Sequence, residues 1–183
     1  MHAGDAVTAA ASQRQAWAVA SLDIRADEQV LEIGCGHGVA ATLVCARLVT
    51  GRYLGIDRSA KMIAAAARRN RQHVARGIAA FAQATFVDAA LPGRYDCVFA
   101  IHVGVFLRGD PTAELARIRT HLRPAGRLCL TYQPLDPRQV TDTVERLRPV
   151  LVAHGFGSVG TVTGAVASRP IVTVVARPAD AAT

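Results

Sequence analysis

The chain has 183 residues, of which 51% are hydrophobic and 19% are charged. This composition excludes a disordered chain, and 15 glycines that follow no period exclude a fibrous one. The net charge of +7 permits nucleic acid or another acidic partner without demonstrating one. No run reaches the roughly 18 apolar residues of a membrane span, and the Ala-rich start lacks a basic segment, so we expect no membrane insertion and no secretory signal.

Short runs rich in Val, Ile, Leu and Phe alternate with segments of helical period. This alternation is typical of a parallel sheet covered by helices on both faces, so the sequence predicts a doubly wound α/β fold. The first segment, 6–22, is predicted to be helical. The predicted strands are 29–33, 52–56, 82–87, 95–101 and 127–132.

Helices are expected between these strands. One is predicted over 39–49, and the next begins at the N-cap Ser59 and stops at Gly77. Two later helices begin where an aspartate precedes a proline, at Asp110 and at Asp136. Their predicted apolar faces are Leu115, Ile118 and Leu122 for one and Val140, Val144 and Leu147 for the other. Because Pro149 cannot continue the last helix cleanly, we expect a kink or a fresh start there, before the helix ends at Gly155.

The alternation changes after Gly155. Two extended segments, 158–164 and 171–176, are separated by a loop too short for a crossover helix, which predicts an antiparallel pair at the edge of the sheet. No linker marks a domain boundary, so we expect one domain over 1–183, with a core at 29–176 preceded by a helical segment at 1–28.

Four cysteines lie far apart in the sequence. They are Cys35, Cys45, Cys97 and Cys129. None belongs to a close Cys/His pair of the kind that zinc sites use, so we expect no metal site. Reduced, mostly buried thiols are the expected state, which favours a cytoplasmic protein.

The most informative segment is the strand that ends in Glu32 and Ile33 and runs into the turn Gly34-Cys35-Gly36-His37-Gly38. Glycine suits such a turn because it accepts positive φ and lets a ligand approach the backbone. The turn follows the first strand, at the edge where open α/β sheets bind ligands. Gly36, Gly38 and Ala41 also fit the dinucleotide pattern G-x-G-x-x-A. The acidic residue before the first glycine decides against that reading.

The acidic residue followed by G-x-G-x-G resembles motif I of the class I S-adenosylmethionine-dependent methyltransferases. The resemblance implies that the glycines admit the methionine part of the cofactor, with Cys35 among them. It also implies that Glu32 acts on the cofactor's ammonium end, directly or through water or neighbouring backbone.

The end of the second strand, Gly55-Ile56-Asp57-Arg58-Ser59-Ala60-Lys61-Met62, is similar to the next segment of that family. There the acidic residue, here Asp57, accepts hydrogen bonds from both ribose hydroxyls, and Arg58 and Met62 are placed near the adenosine. A carboxylate suits this role because it accepts two hydrogen bonds at once. The alternative is an aspartate that only starts the following helix.

Two further segments extend the resemblance. In Phe86-Val87-Asp88-Ala89 the acidic residue would accept from the adenine amino group, and the backbone of Ala89 would meet the ring. The alternative for Asp88 is a residue that caps a turn. The fourth strand, Tyr95–Ala100, places Ala100 at the cofactor, and Leu122-Arg123-Pro124-Ala125-Gly126 resembles the family's turn into the fifth strand, with Ala125 in place of a glycine.

The resemblance covers 30–132 and implies a Rossmann-like, mostly parallel, seven-stranded sheet whose C-terminal hairpin supplies an antiparallel strand. It also implies methyl transfer from S-adenosylmethionine. In this family the segment before the first strand often closes over the substrate, so 1–28 is a candidate lid. The alternative is that it only packs on the sheet, with Trp17 in the core.

His102 follows the fourth strand, at the edge of the expected site. It is a candidate general base, with a satisfied loop histidine as the alternative. Motifs that hold a base amine in nucleic-acid enzymes, D-P-P-Y or N-P-P-F, do not follow this strand.

The arginine cluster at 68–71, together with Arg76, lacks interleaved aromatic residues. We therefore expect a small-molecule acceptor, with nucleic acid possible but not favoured. The alternatives are an RNA or protein methyltransferase and a protein that binds S-adenosylmethionine or a nucleotide without catalysis. Neither the acceptor nor the oligomeric state follows from the sequence.

Overall fold

The computed structural model describes residues 3–179, and side chains from residue 12 onward. Strands and helices alternate along most of this range. In chain order they are α1 (Ala3–Ser21), β1 (Gln29–Ile33), α2 (Val39–Cys45), β2 (Arg52–Asp57), α3 (Ala60–Arg69), α4 (Arg71–Ala75), β3 (Ala79–Gln83), β4 (Tyr95–Ile101), α5 (Val105–Arg108), α6 (Thr112–His121), β5 (Leu122–Tyr132), α7 (Arg138–Ala153), β6 (Phe156–Val166) and β7 (Arg169–Pro178).

Within residues 3–179 the strands form one seven-stranded sheet in the order β3-β2-β1-β4-β5-β7-β6. The first five strands pair in parallel, and β7 pairs antiparallel with both β5 and β6. The predicted fold class is confirmed, including the antiparallel hairpin at the edge. No helix among the described residues combines the length and the apolar content needed to cross a bilayer.

Both faces of the sheet are buried, as the apolar strands predict. On β1, Val30 packs in a cluster with Val19 of α1 and Val44 of α2. Its neighbour Leu31 points to the opposite face, into a cluster that includes Leu115 of α6. Because successive side chains of a strand alternate between faces, two core layers form around one sheet.

The site is positioned by the strand order. The chain leaves β1 toward β2 and β3 on one side, and it leaves β4 toward β5 on the other, so the connections diverge between β1 and β4. Open α/β sheets bind ligands at such a switch point, outside the carboxyl ends of the strands. The glycine turn after Ile33 and the segment after Ile101 therefore meet at one crevice.

The predicted boundaries of the third strand are wrong. The prediction placed it at 82–87, on the β-favouring run Thr85-Phe86-Val87, whereas β3 pairs with β2 through Ala79–Gln83. The hydroxyl of Thr85 donates to Asp88 Oδ2 at 2.5 Å, and the backbone N–H of Asp88 donates to the carbonyl of Thr85. These local bonds close a turn, so the favourable run is used in a loop and not in a strand.

Two predicted helices are shorter than expected. The helix predicted over 39–49 ends at Cys45, because the backbone N–H groups of residues 49–51 all donate to the carbonyl of Ala26. The helix predicted from Ser59 to Gly77 is interrupted at Asn70, whose ψ of 22° departs from helical geometry. The side chain of Asn70 explains the break and is described with the site below.

Other differences lie in the second half of the chain. The prediction that Leu122 lies on a helix face is wrong, since it begins β5 opposite Tyr95. The short helix α5 was not predicted. The last helix runs through Pro149 as one element, with no fresh start. Proline removes only one backbone bond there, and the apolar face of α7 still packs on the sheet.

The amino ends of the strands are fixed by a buried ion pair. Arg127 Nη1 and Nη2 donate to the two carboxylate oxygens of Glu28 at 2.8 and 2.9 Å. Arg127 also donates to the carbonyls of Leu22 and Asp23, which ties the segment after α1 to the sheet. All four cysteines are buried and form no disulfide, in agreement with the expected buried thiols.

Candidate functional site

The glycine turn after β1 has the backbone geometry that its composition predicts. Gly34, Gly36 and Gly38 have φ values of 74°, 51° and 73°. At Gly34 a Cβ would also lie 2.9 Å from Val103 Cγ2, and at Gly38 it would lie 2.6 Å from Asn70 Nδ2. Glycine at these two positions is therefore required both by φ and by close packing.

Two cavities border this turn, each of about 550 Å³, and Gly34 lines both. The first cavity lies between the ends of β2, β3 and β4, and its lining includes Asp57, Arg58, Thr85 and Arg108. The second cavity lies between the turn and α1, and its lining includes Arg14, Gln15, Glu32 and Gly36. Volumes of this size are typical of small-molecule sites.

Asp57 ends β2 and holds the glycine turn in place. Its Oδ2 accepts from the backbone N–H of Gly36 at 3.0 Å, and its Oδ1 accepts from the N–H of Ser59 at 2.9 Å. The carboxylate thus starts helix α3, as one reading predicts, and also reaches the glycine turn. Because each oxygen has a second lone pair, Asp57 keeps acceptor capacity toward the first cavity, which it lines.

Glu32 is 3% exposed and lines the second cavity. Its Oε2 accepts a short hydrogen bond from the Tyr53 hydroxyl of the neighbouring strand. Burial raises the pKa of Glu32 to about 8, while the bond from Tyr53 lowers it and the charge of Asp57 raises it. Among residues 12–179, no Lys, Arg or His lies within 4 Å of this carboxylate. The second cavity therefore ends on a buried acid that lacks a cation.

Asn70 is a positioning residue that the sequence analysis missed. It is buried, its Nδ2 donates to the carbonyls of Gly38 and Ala66, and its Oδ1 accepts from the Thr42 hydroxyl at 2.8 Å. These bonds join the end of α3 to the glycine turn and the start of α2. The sequence feature that points to this role is an asparagine, which is unfavourable in helix interiors, within an otherwise strong helical run.

The other predicted cofactor residues lie in different surroundings. Arg58 lines the first cavity, Met62 is half-buried in the first turn of α3, and Cys35 is buried within the glycine turn. Burial raises the pKa of the Cys35 thiol, which disfavours a thiolate at this position. Ala100 packs in the core and is not among the residues that line either cavity.

The segment after β3 contributes through Thr85 and Phe86, which line the first cavity. Asp88 is exposed and accepts from Thr85, an arrangement that favours the turn-capping reading. The carbonyl of Ala89 accepts a short hydrogen bond from Arg117 Nη2, and the Ala89 side chain is buried.

His102 has its Nε2 engaged. The backbone N–H of Gln133 donates to Nε2 at 2.8 Å, so the ring accepts at this nitrogen, and the ring packs edge-on against Tyr132. Partial desolvation and the charges of three guanidinium groups lower the pKa of His102 to about 4. A neutral imidazole with its acceptor nitrogen occupied is a poor general base, so the geometry favours the satisfied loop histidine.

Helix α1 forms a wall of the second cavity. Arg14 Nε and Gln15 Oε1 are buried there without a hydrogen-bond partner among the described residues. Farther along α1, the half-buried indole of Trp17 lies against Gly164 of β6, where a Cβ would be 2.5 Å from Nε1. Polar atoms left unpaired in a cavity favour a ligand that supplies their partners.

The residues present fit S-adenosylmethionine. The second cavity combines a buried acid and an arginine with an unpaired donor, which suits the ammonium and carboxylate of an amino acid. The first cavity offers Asp57 to a diol. A Cβ at Gly36, which lines the second cavity, would meet no atom within 4 Å, so the turn leaves open space against its backbone.

Comparisons with known proteins identify the family and several relatives of this chain. A family model described as "Methyltransferase domain" matches residues 31–128, which is more than half of the chain. An uncharacterized 37.1 kDa protein in transposon TN4556 of Streptomyces fradiae is 35% identical over 130 residues. Trans-aconitate 2-methyltransferase of Deinococcus radiodurans is 29% identical over 141 residues. The alignments cover 68% and 75% of this chain but only 36% and 51% of those relatives.

Solved structures share the fold at low sequence identity. The N-methyltransferase NodS from Bradyrhizobium japonicum superposes with a TM-score of 0.71 at 18% identity, over 93% of this chain and 97% of that one. At this identity the likeness concerns the fold alone.

Proposed function

The chain belongs to the class I S-adenosylmethionine-dependent methyltransferases, and we propose that it transfers a methyl group from S-adenosylmethionine to a small-molecule acceptor. The observation that carries the proposal is the glycine turn between two cavities, one lined by Asp57 and the other by Glu32. A cofactor with an adenosine, which carries a ribose diol, on one side and an amino acid on the other matches these two cavities, which share Gly34.

In this assignment Asp57 accepts hydrogen bonds from the ribose, beside its bonds to Gly36 and Ser59. Glu32 receives the ammonium group, which supplies the cation that the buried carboxylate lacks. Arg14, whose Nε is buried without a partner among residues 12–179, receives the carboxylate of the methionine part. These three roles are proposed from position and charge.

When bound, S-adenosylmethionine supplies a methyl group already activated by its sulfonium. The protein therefore has to hold the acceptor in line and to exclude water. Helix α1, which lines the second cavity, is proposed as the lid over the site. Asn70 and Asp57 keep the glycine turn in its open shape, and His102 shapes the loop after β4 without taking a proton.

Two observations support a small acceptor. A relative of this chain is named for methylation of trans-aconitate, a small organic acid. One arginine of the basic cluster at 68–71 is engaged in a hydrogen bond within the protein, since Arg69 Nε donates to the carbonyl of His37. RNA and protein acceptors remain the alternative class, and a binding protein without transferase activity is the alternative outside enzymes.

Calorimetric titration with S-adenosylmethionine, S-adenosylhomocysteine and NADH tests the proposal. We expect S-adenosylmethionine and S-adenosylhomocysteine to bind and NADH not to bind. We also expect transfer of a labelled methyl group from S-adenosylmethionine to members of a metabolite panel. Tight NADH binding without S-adenosylmethionine binding would contradict it. Binding without transfer to small molecules, RNA or protein would support the non-catalytic alternative.

A further inference from the structure

The hairpin strand β6 forms a long free edge of the sheet. It has 11 residues and, among the strands of residues 3–179, it pairs with β7 alone. Every residue from 160 to 165 is exposed, and the side chain of Val162 is 40% exposed. The strand at the opposite edge, β3, has only 5 residues. A short edge strand is protected against pairing with another chain, and β6 does not have this protection.

The composition of β6 does not protect the edge either. Its segment, Phe156–Val166, contains no charged residue and no proline, and its threonines and valines favour strand structure. The register with β7 is continuous from Ser158 to Val166, so no bulge turns this part of the edge away. A straight, uncharged edge strand is a template for a further strand.

The turn of the hairpin determines which backbone groups of β6 point outward. Val166 and Arg169 flank the two-residue turn Ala167-Ser168, whose φ values are 49° and 60°. Residues that flank such a turn exchange both backbone hydrogen bonds, and bonded and non-bonded pairs alternate from there along the strands. The N–H and C=O groups of residues 159, 161, 163 and 165 therefore point away from β7.

A side-chain contact agrees with this direction. Arg148 Nη1 of α7 donates to the carbonyl of Val159 at 2.8 Å, which requires a carbonyl that is not used between β6 and β7. Farther along β6, no strand among residues 3–179 meets the outward groups of residues 161, 163 and 165. These groups are available to a strand from another chain.

The sequence of β6 is complementary to itself. Five of its residues read Gly-Thr-Val-Thr-Gly, which is symmetric about Val162. When two copies of β6 pair antiparallel about a two-fold axis at Val162, Thr161 lies opposite Thr163, and Val159 lies opposite Ala165. All four of these residues carry outward backbone groups, so donors and acceptors of the two copies meet in register.

The same register leaves room for helix α1. Trp17 of α1 lies against Gly164, where a Cβ would be 2.5 Å from the indole Nε1, whereas a Cβ at Gly160 would meet no atom within 4 Å. About the axis at Val162, Gly160 of one copy lies opposite Gly164 of the other. Because glycine has no side chain, this pairing brings no side chain against either indole.

We propose that β6 is a dimerisation edge and that its partner is a second copy of this chain, paired antiparallel about Val162. The two seven-stranded sheets then form one continuous sheet. The inference is independent of the proposed function, since no residue of β6 lines either cavity of the site. Because one strand edge is a small interface, we expect a dissociation constant of about 1–100 μM.

Sedimentation velocity over a concentration series tests the association. High salt is used because each chain carries a net charge of +7 and the repulsion has to be screened. Wild type should shift from monomer to dimer with concentration. Thr163→Pro removes one outward N–H, a change that an edge strand tolerates, and by symmetry two hydrogen bonds of the dimer are lost. Dimerisation should weaken at least about tenfold, whereas Thr163→Ala, which keeps the N–H, should stay within about threefold of wild type.

A charge exchange at the axis tests the register. Val162→Lys and Val162→Asp should each be monomeric, because like charges meet at the axis, and an equimolar mixture of the two should recover a dimer. Val49, which is 73% exposed and lies outside β6, provides the control. Val49→Lys should dimerise as wild type does.

The contrary outcomes are specific. A wild-type protein that stays monomeric at concentrations about tenfold above the expected range would overturn the proposal. Unchanged dimerisation in Thr163→Pro, or no dimer in the mixture of Val162→Lys and Val162→Asp, would also overturn it. Circular dichroism checks that each variant is folded. If Thr163→Pro does not fold, Thr161→Pro removes the equivalent outward N–H and has to give the same loss of dimer.

Discussion

Two buried glutamates, four residues apart, separate the structural end of the sheet from its functional end. Glu28 is 1% exposed and Glu32 is 3% exposed. Glu28, at the amino edge, receives two hydrogen bonds from the guanidinium of Arg127. Glu32, near the carboxyl edge, receives a phenol hydrogen bond from Tyr53 and faces a cavity. A buried acid with its cation built in is already compensated within the fold, whereas one without a cation among the described residues marks a candidate place for a ligand.

Removal of the Arg127 cation at the amino edge of the sheet should have the largest effect, which is on the free energy of unfolding. Arg127→Met leaves Glu28 buried and uncompensated, so we expect a loss of about 3–5 kcal/mol in the free energy of unfolding, measured by urea denaturation. Arg25 also lies 3.2 Å from Glu28, but its side chain is 68% exposed and compensates weakly.

The matched control for this prediction removes both charges. The double variant Glu28→Gln with Arg127→Met should recover much of the lost stability, because no unpaired charge stays buried. The affinity of the folded protein for S-adenosylmethionine should be close to wild type in both variants. A large loss of affinity would show that the two ends of the sheet are not separate in function.

The pH dependence of stability should reveal Glu32, the buried acid whose carboxylate has no cation within 4 Å among the described residues. The pKa of Glu32 is raised to about 8 in the folded protein, against an ordinary value of 4.5, so its contribution to stability is present below pH 4.5 and is lost as pH rises through 8. Without ligand, wild type should therefore lose about 2–4 kcal/mol across this window relative to Glu32→Gln.

The comparison of wild type with Glu32→Gln is needed because the contribution of His102 to stability changes with pH in the opposite direction. Its folded pKa of about 4 lies below its ordinary value, so its contribution grows as pH rises from about 4 to 6.5. This trend is common to wild type and Glu32→Gln and cancels in their difference. The exposed variant Glu145→Gln should follow the wild-type curve, and a flat difference curve for Glu32→Gln would contradict the account.

Two aspartates at opposite edges offer a matched pair for cofactor affinity. Asp57→Ala should weaken S-adenosylmethionine binding by about 1.5–3 kcal/mol, the range for hydrogen bonds to a charged group. Asp96 also accepts from a backbone N–H, that of Gln29, and from Arg123, but at the amino edge. Asp96→Ala should leave affinity unchanged by calorimetry, and equal losses in the two variants would remove Asp57 from the binding site.

The smallest effect is expected at His102. Since its Nε2 already accepts from Gln133, His102→Ala should lower turnover less than tenfold, with little change in cofactor affinity. A general base would cost about 10²–10⁴-fold in turnover. A loss in that range, in a variant that folds normally by circular dichroism, would restore the catalytic reading.

The sequence predicted the parallel part of the sheet, the hairpin and the glycine turn because each depends on local pattern. Alternating apolar runs specify the sheet. Positive φ is sufficient to require glycine at positions 34 and 38, and close packing excludes a Cβ there independently. The third strand was misplaced because Thr85 and Asp88 bond to each other, which outweighs the β propensity of the run.

The rest of the site depends on contacts between distant parts of the chain. The bond from Tyr53 to Glu32 joins two strands, and Asn70 reaches the glycine turn from 32 residues away. The position of Arg14 beside the same turn depends on how α1 packs, which no local pattern encodes. Such residues were visible in the sequence only as an asparagine inside a helix and as arginines without an assigned role.

The most direct test of the account is the proton balance of cofactor binding. At pH 7 the free protein holds a proton on Glu32, and an ammonium beside this carboxylate favours its ionised form. Titration with S-adenosylmethionine in two buffers of different ionisation enthalpy should therefore show a proton released by wild type and none from that site in Glu32→Gln, which should also bind more weakly. The same proton balance and the same affinity in both proteins would contradict the assignment of Glu32 to the cofactor.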